Sequence, residues 1–245
     1  MPFLSATELL SGLSVAAALG LTAGGCTYAA MWPASEIFGR ALIAPPQPGE
    51  LALTFDDGPN PAWTPQLLEI LAKHNVRATF FMVGKFAAAE PVLARYIADA
   101  GHLIGNHSWS HPNLALTAPS KVREELTRTK DTLEQMIGKP VRHFRPPFGA
   151  RRPDVFKTAR DLEMTPVLWN AMTSDWKERS AELIAERLSA RIDWVQFRGR
   201  AANIVLHDGG HLRLGIDRGP SVAAAGRLLE RYARLHRFVT LDAWE

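Results

Sequence analysis

Residues 51–59 read Leu-Ala-Leu-Thr-Phe-Asp-Asp-Gly-Pro. The apolar run Leu51, Ala52, Leu53 and Phe55 has the character of a short buried strand, which Gly58 and Pro59 stop. Two adjacent carboxylates, Asp56 and Asp57, fall where that strand ends. Carboxylates beside buried apolar residues are costly unless a cation or hydrogen-bond donors compensate them. The stretch therefore reads either as a plain strand with an Asp-Gly turn or as a site in which two acids hold different jobs. The rest of the chain decides between them.

Outward from this stretch, short apolar runs alternate with helical patterns. Further strands are expected at 78–83, 103–107, 141–145, 165–170, 203–207 and 237–241. Amphipathic stretches with apolar spacings of three and four lie at 65–74, 91–100, 120–137, 153–162, 181–197 and 220–235. Several open with Pro in the first turn, and Gly101 and Gly138 follow two of them as stops. Strand–helix alternation implies an α/β fold with a parallel sheet. About seven strands predict a distorted (β/α) barrel, one unit short, with an open doubly wound sheet as the alternative.

The chain has 245 residues with a net charge of +3 and no block of Lys or Arg, which gives no basis for a nucleic-acid partner. A single cysteine, Cys26, excludes an internal disulfide and a thiolate metal cage, so any metal must be held by His and Asp. From Leu9 to Ser35 there is no Asp, Glu, Lys or Arg, a length that can span a membrane. Residues 1–44 are thus expected to be a signal or membrane anchor with its linker, and residues 45–245 the working domain. A positive n-region is missing, so orientation is not legible. Ala23-Gly24-Gly25-Cys26 resembles a lipoprotein cleavage site without its usual Leu. A buried N-terminal helix of a soluble protein is the plainer alternative. Pro45–Gly49 reads as a stiff linker.

In parallel α/β folds the site lies at the C-terminal ends of the strands, and the unusual polar residues fall there repeatedly. Asp56 and Asp57 end the first strand, His107 and His111 follow the third, and Arg145 ends the fourth. Asp175 and Trp176 follow the fifth, and His207 and Asp208 end the sixth. The spacing of His107 and His111 would put both imidazoles on one side of a helical turn. With a carboxylate from another strand end they make an Asp-His-His set with open positions. That donor set suits zinc, or another divalent transition metal such as cobalt or nickel, holding a water.

Thr54–Pro59 (TFDDGP), His107–His111 (HSWSH), Arg145–Gly149 (RPPFG), Ser174–Trp176 (SDW) and Val205–Gly209 (VLHDG) resemble, in this order, the five motifs of the NodB-homology polysaccharide deacetylases, carbohydrate esterase family 4. The resemblance runs from Leu51 to the C-terminus. It implies a distorted (β/α) barrel that removes N-acetyl groups from amino-sugar polymers, or O-acetyl groups from xylan. By motif, it implies that Asp56 is the general base and that Asp57, His107 and His111 hold the metal. Arg145 would orient the base, and the backbone N–H of Phe148, a position where many relatives have Tyr, would help bind the oxyanion. Asp175 would partner the catalytic acid His207, while Trp176 and Leu206 would wall the acetyl pocket.

The chemistry that an amide demands fits these residues independently. A Lewis acid must polarise the carbonyl and acidify water, a base must take the water proton, and an acid must protonate the leaving nitrogen. The function expected is therefore a metal-dependent deacetylase of GlcNAc-containing glycans, either peptidoglycan or chitin-type oligomers. A xylan deacetylase, or a deformylase or amidase on a smaller or lipid-linked sugar, is the alternative. The expected setting is the bacterial envelope, membrane-anchored or secreted, with the enzyme acting as a monomer. A two-His-one-carboxylate iron oxygenase fits the strand–helix alternation poorly, and a binding module without catalysis fits Asp56 and His207 poorly. His74, His102, His143 and His236 read as structural, and most tryptophans as core. Asp208 and His211 are secondary candidates for substrate contact, as is Trp109 between the two histidines.

Overall fold

The computed structural model describes residues 24, 25 and 27–245. Most of the uncharged stretch read as an anchor, and Cys26 with its lipoprotein-like setting, lie outside the described residues.

Among the described residues one sheet holds eight parallel strands: β1 (Glu50–Asp56), β2 (Thr79–Met82), β3 (Leu103–Asn106), β4 (His143–Phe144), β5 (Thr165–Pro166), β6 (Ala171–Met172), β7 (Ala202–His207) and β8 (Arg237–Phe238). Seven follow the order β5-β4-β3-β2-β1-β7-β6. The eighth, β8, pairs only with Glu50 and Leu51 at the start of β1. The expected strands are recovered in place, except that 165–170 keeps only the two residues of β5 and a further short strand, β6, follows it on the other side of the sheet. The connections carry α1 (Thr64–Lys73), α2 (Gly84–Ala89), α3 (Pro91–Asp99), α4 (Pro119–Ile137), α5 (Pro153–Asp161), α6 (Ala181–Phe197) and α7 (Gly219–Tyr232). Five of these helices have Pro in the first turn, and α4 ends on Gly138 at φ 67.

Alternation along the strands divides the core in two. Leu51, Leu53, Phe55, Phe80, Met82 and Ile204 pack outward with helix residues such as Leu67, Leu126 and Leu188. Ala52, Phe81, Val167, Val239 and Leu241 form a smaller cluster inside the curl of the sheet. Burying a side chain of the size of Leu53 or Phe55 contributes roughly 1.5–3 kcal/mol. Gly105 on β3 leaves the space that the Phe81 ring occupies, since a Cβ there would sit 2.5 Å from Phe81 Cδ1.

The gap between β5 and β6 is filled from the N-terminal side. Leu42 bridges Val167 in parallel fashion, its N–H donating to Pro166 O at 2.8 Å and its carbonyl accepting from Leu168 N at 2.9 Å. Asn203 Nδ2 donates to Ile43 O at 3.0 Å and to Leu168 O at 2.8 Å. Arg151, fully buried, donates to the carbonyls of Ala30, Trp32 and Ser35. The chain from Ala29 to Ala44, read from sequence as anchor and linker, is thus part of the folded body. The acceptors it supplies are backbone carbonyls, which every residue has, so its sequence gives no sign of this.

A chain starting at Pro45 loses the acceptors of Arg151 and the strand at Leu42. Stranding a buried charge costs about 3–5 kcal/mol, which for a domain of this size lowers Tm by roughly 10 °C. Thermal unfolding of chains starting at Thr27 and at Pro45 measures this, and equal Tm values would refute it.

Candidate active site and metal centre

The register of the sheet assembles the site. Asp56 at the end of β1 lies beside His207 at the end of β7, so both side chains point to the inner face at the same level. Asp57, one residue further, has φ 71, a left-handed turn that sends its carboxylate toward β3 instead of outward. Gly58 is required by close approach, because a Cβ there would meet Asp208 Oδ2 at 2.4 Å.

Asp57 Oδ1 lies 3.0 Å from His111 Nε2 and 3.4 Å from His107 Nε2. The three ligand atoms fall within 4.8 Å of one another. His107 Nδ1 is 2.8 Å from the carbonyl of Arg145, so it carries the hydrogen and leaves Nε2 as a lone-pair donor facing Asp57. Asp57 Oδ1 is buried without a hydrogen-bond donor. Burial would raise the Asp57 carboxyl, but contacts with the three neighbouring histidines outweigh it and hold it well below the usual carboxylate range. Burial pushes His111 down against the pull of Asp57, which favours its neutral, ligating form. An anionic oxygen and two imidazole nitrogens converging in a buried spot fit a divalent cation.

The two histidines do not share a helical turn, as the spacing predicted. Residues 107–111 are a loop in which Ser108 has φ 63 and His111 φ 62. The loop is held by Asn106 Oδ1 accepting from Ser108 N at 2.8 Å and by the buried Glu125 accepting from Ser110 N and Oγ at 2.7 and 2.8 Å. The His107 and His111 rings converge edge-on, 4.9 Å apart.

Asp56 keeps clear of the metal set by bonding elsewhere. Its Oδ1 accepts from Arg145 Nη1 at 2.8 Å. The same nitrogen donates to Thr54 Oγ1 at 2.8 Å, and Nη2 to Asn203 Oδ1 at 3.3 Å. Arg145 is wholly buried, with its guanidinium 4.2 Å above the Phe81 ring. Burial pulls its pKa down and Asp56 opposes this.

On the other side, His207 is fixed at two points by the buried Asp175. Its Nδ1 lies 2.9 Å from Asp175 Oδ1, and its backbone N–H donates to Oδ2 at 2.9 Å. Ser221 Oγ adds a third bond to Asp175, at 2.8 Å. Burial works against the charged ring, but Asp175, and behind it Asp57 and Asp56, raise the His207 pKa to about 9. The pairing with Asp175 thus favours the imidazolium form of His207.

These groups share one pocket of about 220 Å³. Its apolar walls are Phe148, Trp169, Met172, Trp176 and Val205. Trp176 stands edge-on to His207 at 5.1 Å. Phe148 has φ 59 and is half exposed, its ring 4.6 Å from His111. Leu206, expected as a wall, is not one: it faces outward into the helix-side core. Val205 takes that place because it shares the strand face of His207, two residues on. That parity was available in the sequence. Trp169, read as core, lines the pocket, as does Met172 of the unforeseen strand β6. Trp109 packs between Gly84 and Arg128, away from the pocket. Asp208 is fully buried behind Gly58 and bonded to Thr64, so only His211 of the secondary candidates reaches the site.

Metal content separates the roles of the two aspartates. His107→Ala and Asp57→Asn should lose bound metal together with turnover, whereas Asp56→Asn should keep the metal and lose turnover, as read by metal analysis and acetate release. Equal metal loss in both aspartate variants would refute the division. The parity correction is checked by Val205→Phe, which should fill the pocket and abolish turnover in a folded protein. Leu206→Ala should mainly cost stability, about 2–5 kcal/mol.

The polysaccharide deacetylase family model matches residues 44–167. A peptidoglycan-N-acetylglucosamine deacetylase of Bacillus cereus is 37% identical over 74% of the chain and 65% of its own length, so the chain spans just under two thirds of that protein. A chitooligosaccharide deacetylase of Azorhizobium caulinodans is 35% identical over 71% of the chain and 80% of that protein. Among solved structures, the Bc1960 peptidoglycan N-acetylglucosamine deacetylase, in complex with an aromatic hydroxamate, superposes with a TM-score of 0.73. It is 34% identical, and the match covers 82% of the chain and 90% of that structure. With the family model matching half the chain and with relatives above 30% identity, the chain belongs to the polysaccharide deacetylase family.

Proposed function

We propose that the protein is a metal-dependent hydrolase that removes N-acetyl groups from GlcNAc-containing glycans of the peptidoglycan or chitin-oligomer type. The observation that carries this reading is the convergence, in one pocket, of a metal-fit triad, an Arg-held carboxylate and an Asp-held imidazolium. The names of the relatives support the substrate class. Zinc suits the nitrogen and oxygen donors best, with cobalt or nickel as alternatives.

The metal, when bound by Asp57, His107 and His111, supplies a Lewis acid for the acetyl carbonyl and for water. Asp56, kept anionic and aimed by Arg145, accepts the proton of the attacking water. The Phe148 N–H is the proposed oxyanion donor. Trp176, Met172 and Val205 provide apolar surface for the acetyl methyl. His207 gives its Nε2 proton to the departing nitrogen, so that acetate and a free amine leave. Asp175 holds the ring and favours its charged form.

The uncharged residues 9–28, ahead of the part that packs on the domain, support membrane tethering or export to the envelope as part of this proposal. Among the described residues, no helix is long and apolar enough to cross a membrane. Action as a monomer is part of the same proposal.

Acetate release from peptidoglycan, chito-oligomers and acetylxylan, with metal measured in the same sample, tests the proposal. Turnover should fall on chelation and return with a divalent ion, without need of oxygen. Release only from acetylxylan would overturn it.

The pH profile tests the acid. Its active form is the imidazolium, present below the His207 pKa and lost as pH rises through it. Asp175→Asn removes the main raising influence and leaves burial, which lowers the value. The alkaline limb of kcat/KM should therefore move to lower pH. A limb that stays in place or moves upward would dissolve the pairing.

A further inference from the structure

Most charged groups of the pocket have a partner of opposite sign. Asp56 faces Arg145, Asp175 faces His207, and Asp57 is one of the three metal-fit residues. Arg218 does not follow this pattern. It lines the pocket but, among the described residues, has no carboxylate within 4.0 Å. Its neighbour Asp217 is engaged with Arg179 at 3.3 Å and accepts from Gly219 N at 2.9 Å.

The Arg218 guanidinium is nevertheless held in place. Nε donates to Gly209 O at 2.5 Å and Nη1 to Asp217 O at 3.3 Å, while Nη2 has no protein acceptor. Gly210 makes room for it, because a Cβ there would lie 3.0 Å from Nη2. The loop between His207 and α7 that carries Arg218 is tied down at two points. Lys85 Nζ donates to His211 O at 3.1 Å, and Asn60 Nδ2 to Ile216 O at 2.9 Å. The His211 ring lies flat on His111, 4.5 Å away, so the loop is seated against the metal-fit triad itself.

A fixed guanidinium with one free nitrogen edge in a pocket wall is a receptor for an anion. We infer that Arg218 forms a subsite for a carboxylate on the substrate, carried by the sugar next to the one that is deacetylated. This rests on the deacetylase reading and sharpens it. It favours an acylated amino-sugar glycan whose neighbouring residues bear free carboxylates, as muramic acid units without a stem peptide do, over neutral chitin or peptide-substituted strands.

The test compares three probes. One is a tetrasaccharide of alternating N-acetylglucosamine and N-acetylmuramic acid with free lactyl carboxylates. The second is the same oligomer with those carboxylates converted to neutral amides. The third is chitotetraose with a phosphate at its reducing end, which represents the other common source of negative charge. The wild type should prefer the free acid to the amide by about tenfold in kcat/KM, and the preference should shrink as salt is raised. Arg218→Gln should bring the ratio close to one, and Arg218→Lys should keep part of it. The affinity of the N-deacetylated acid relative to its amide, measured by calorimetry, should follow the same order without any turnover. Equal use of acid and amide by the wild type, or an undiminished ratio in Arg218→Gln, would overturn the subsite. A preference confined to the sugar phosphate would overturn the carboxylate assignment. If no probe releases acetate, the deacetylase reading fails, whereas the calorimetric ratio still reads the subsite. The salt dependence of the wild type stands even if the variants do not fold.

Discussion

The ion pair of Arg145 with Asp56 is the interaction on which the site is hung. Arg145 bonds through its backbone and its guanidinium alike. Its N–H bonds to Asn106 O, its carbonyl fixes the His107 ring, and its guanidinium fixes Asp56 and reaches Thr54 and Asn203. The metal-fit half and the base half therefore share one mount, and a shift of β4 would move both together. Because Arg145 is fully buried, removing Asp56 leaves a charge without compensation, a loss of several kcal/mol in general. Stability and chemistry are coupled at this residue. A ring face supplied by Phe81 softens the cost of burial.

Around this mount the backbone is bent to aim side chains. Asp57, His111 and Phe148 all have positive φ, at 71, 62 and 59, and all three face the pocket. For residues with a Cβ this conformation costs on the order of 1 kcal/mol or more each. Surrounding bonds hold the turns in place. Ser108 Oγ accepts from His111 N at 3.1 Å, and Asp208 sits against Gly58. Burial raises the Asp208 carboxyl to about 7, as expected of a group whose task is to fill and bond within the fold. The strands bring the functional groups to one level, and the left-handed turns then choose their direction.

Much of this was legible in the sequence because function gathers at strand ends. Leu51–Asp56 reads as a strand on its own, and the alternation of elements sets the barrel. Asp56, Asp57, His107, His111 and His207, singled out at strand ends, line one pocket, with Arg145 and Asp175 bonded to two of them from behind. What was not legible has a physical reason in each case. Leu206 was taken for Val205 because it adjoins His207 in the motif, although the two-residue period of a strand already puts Val205 on the face of His207. β6 has two residues, too few to carry any period. The His107–His111 spacing suits a helix, but left-handed turns at Ser108 and His111 achieve the same convergence. Trp169 reads as core because a pocket wall and a core position favour the same side chain.

The strand order has a consequence for how the chain acquires this shape. β1 lies between β2, its near neighbour in sequence, and β7, reached by the bond from Thr54 to Ile204 across 150 residues. The filler at Ile43 bonds Asn203 across 160. Contacts this distant must close large loops before they return any stabilisation, and chains dominated by them fold slowly. A ribosome that has released only the first half of the chain has produced β1 without one of its edges. The inner row of Thr54 and Asp56 then faces water until β7 arrives. The half-made barrel is thus an open sheet with an exposed central strand, and only the last third of the chain removes that hazard.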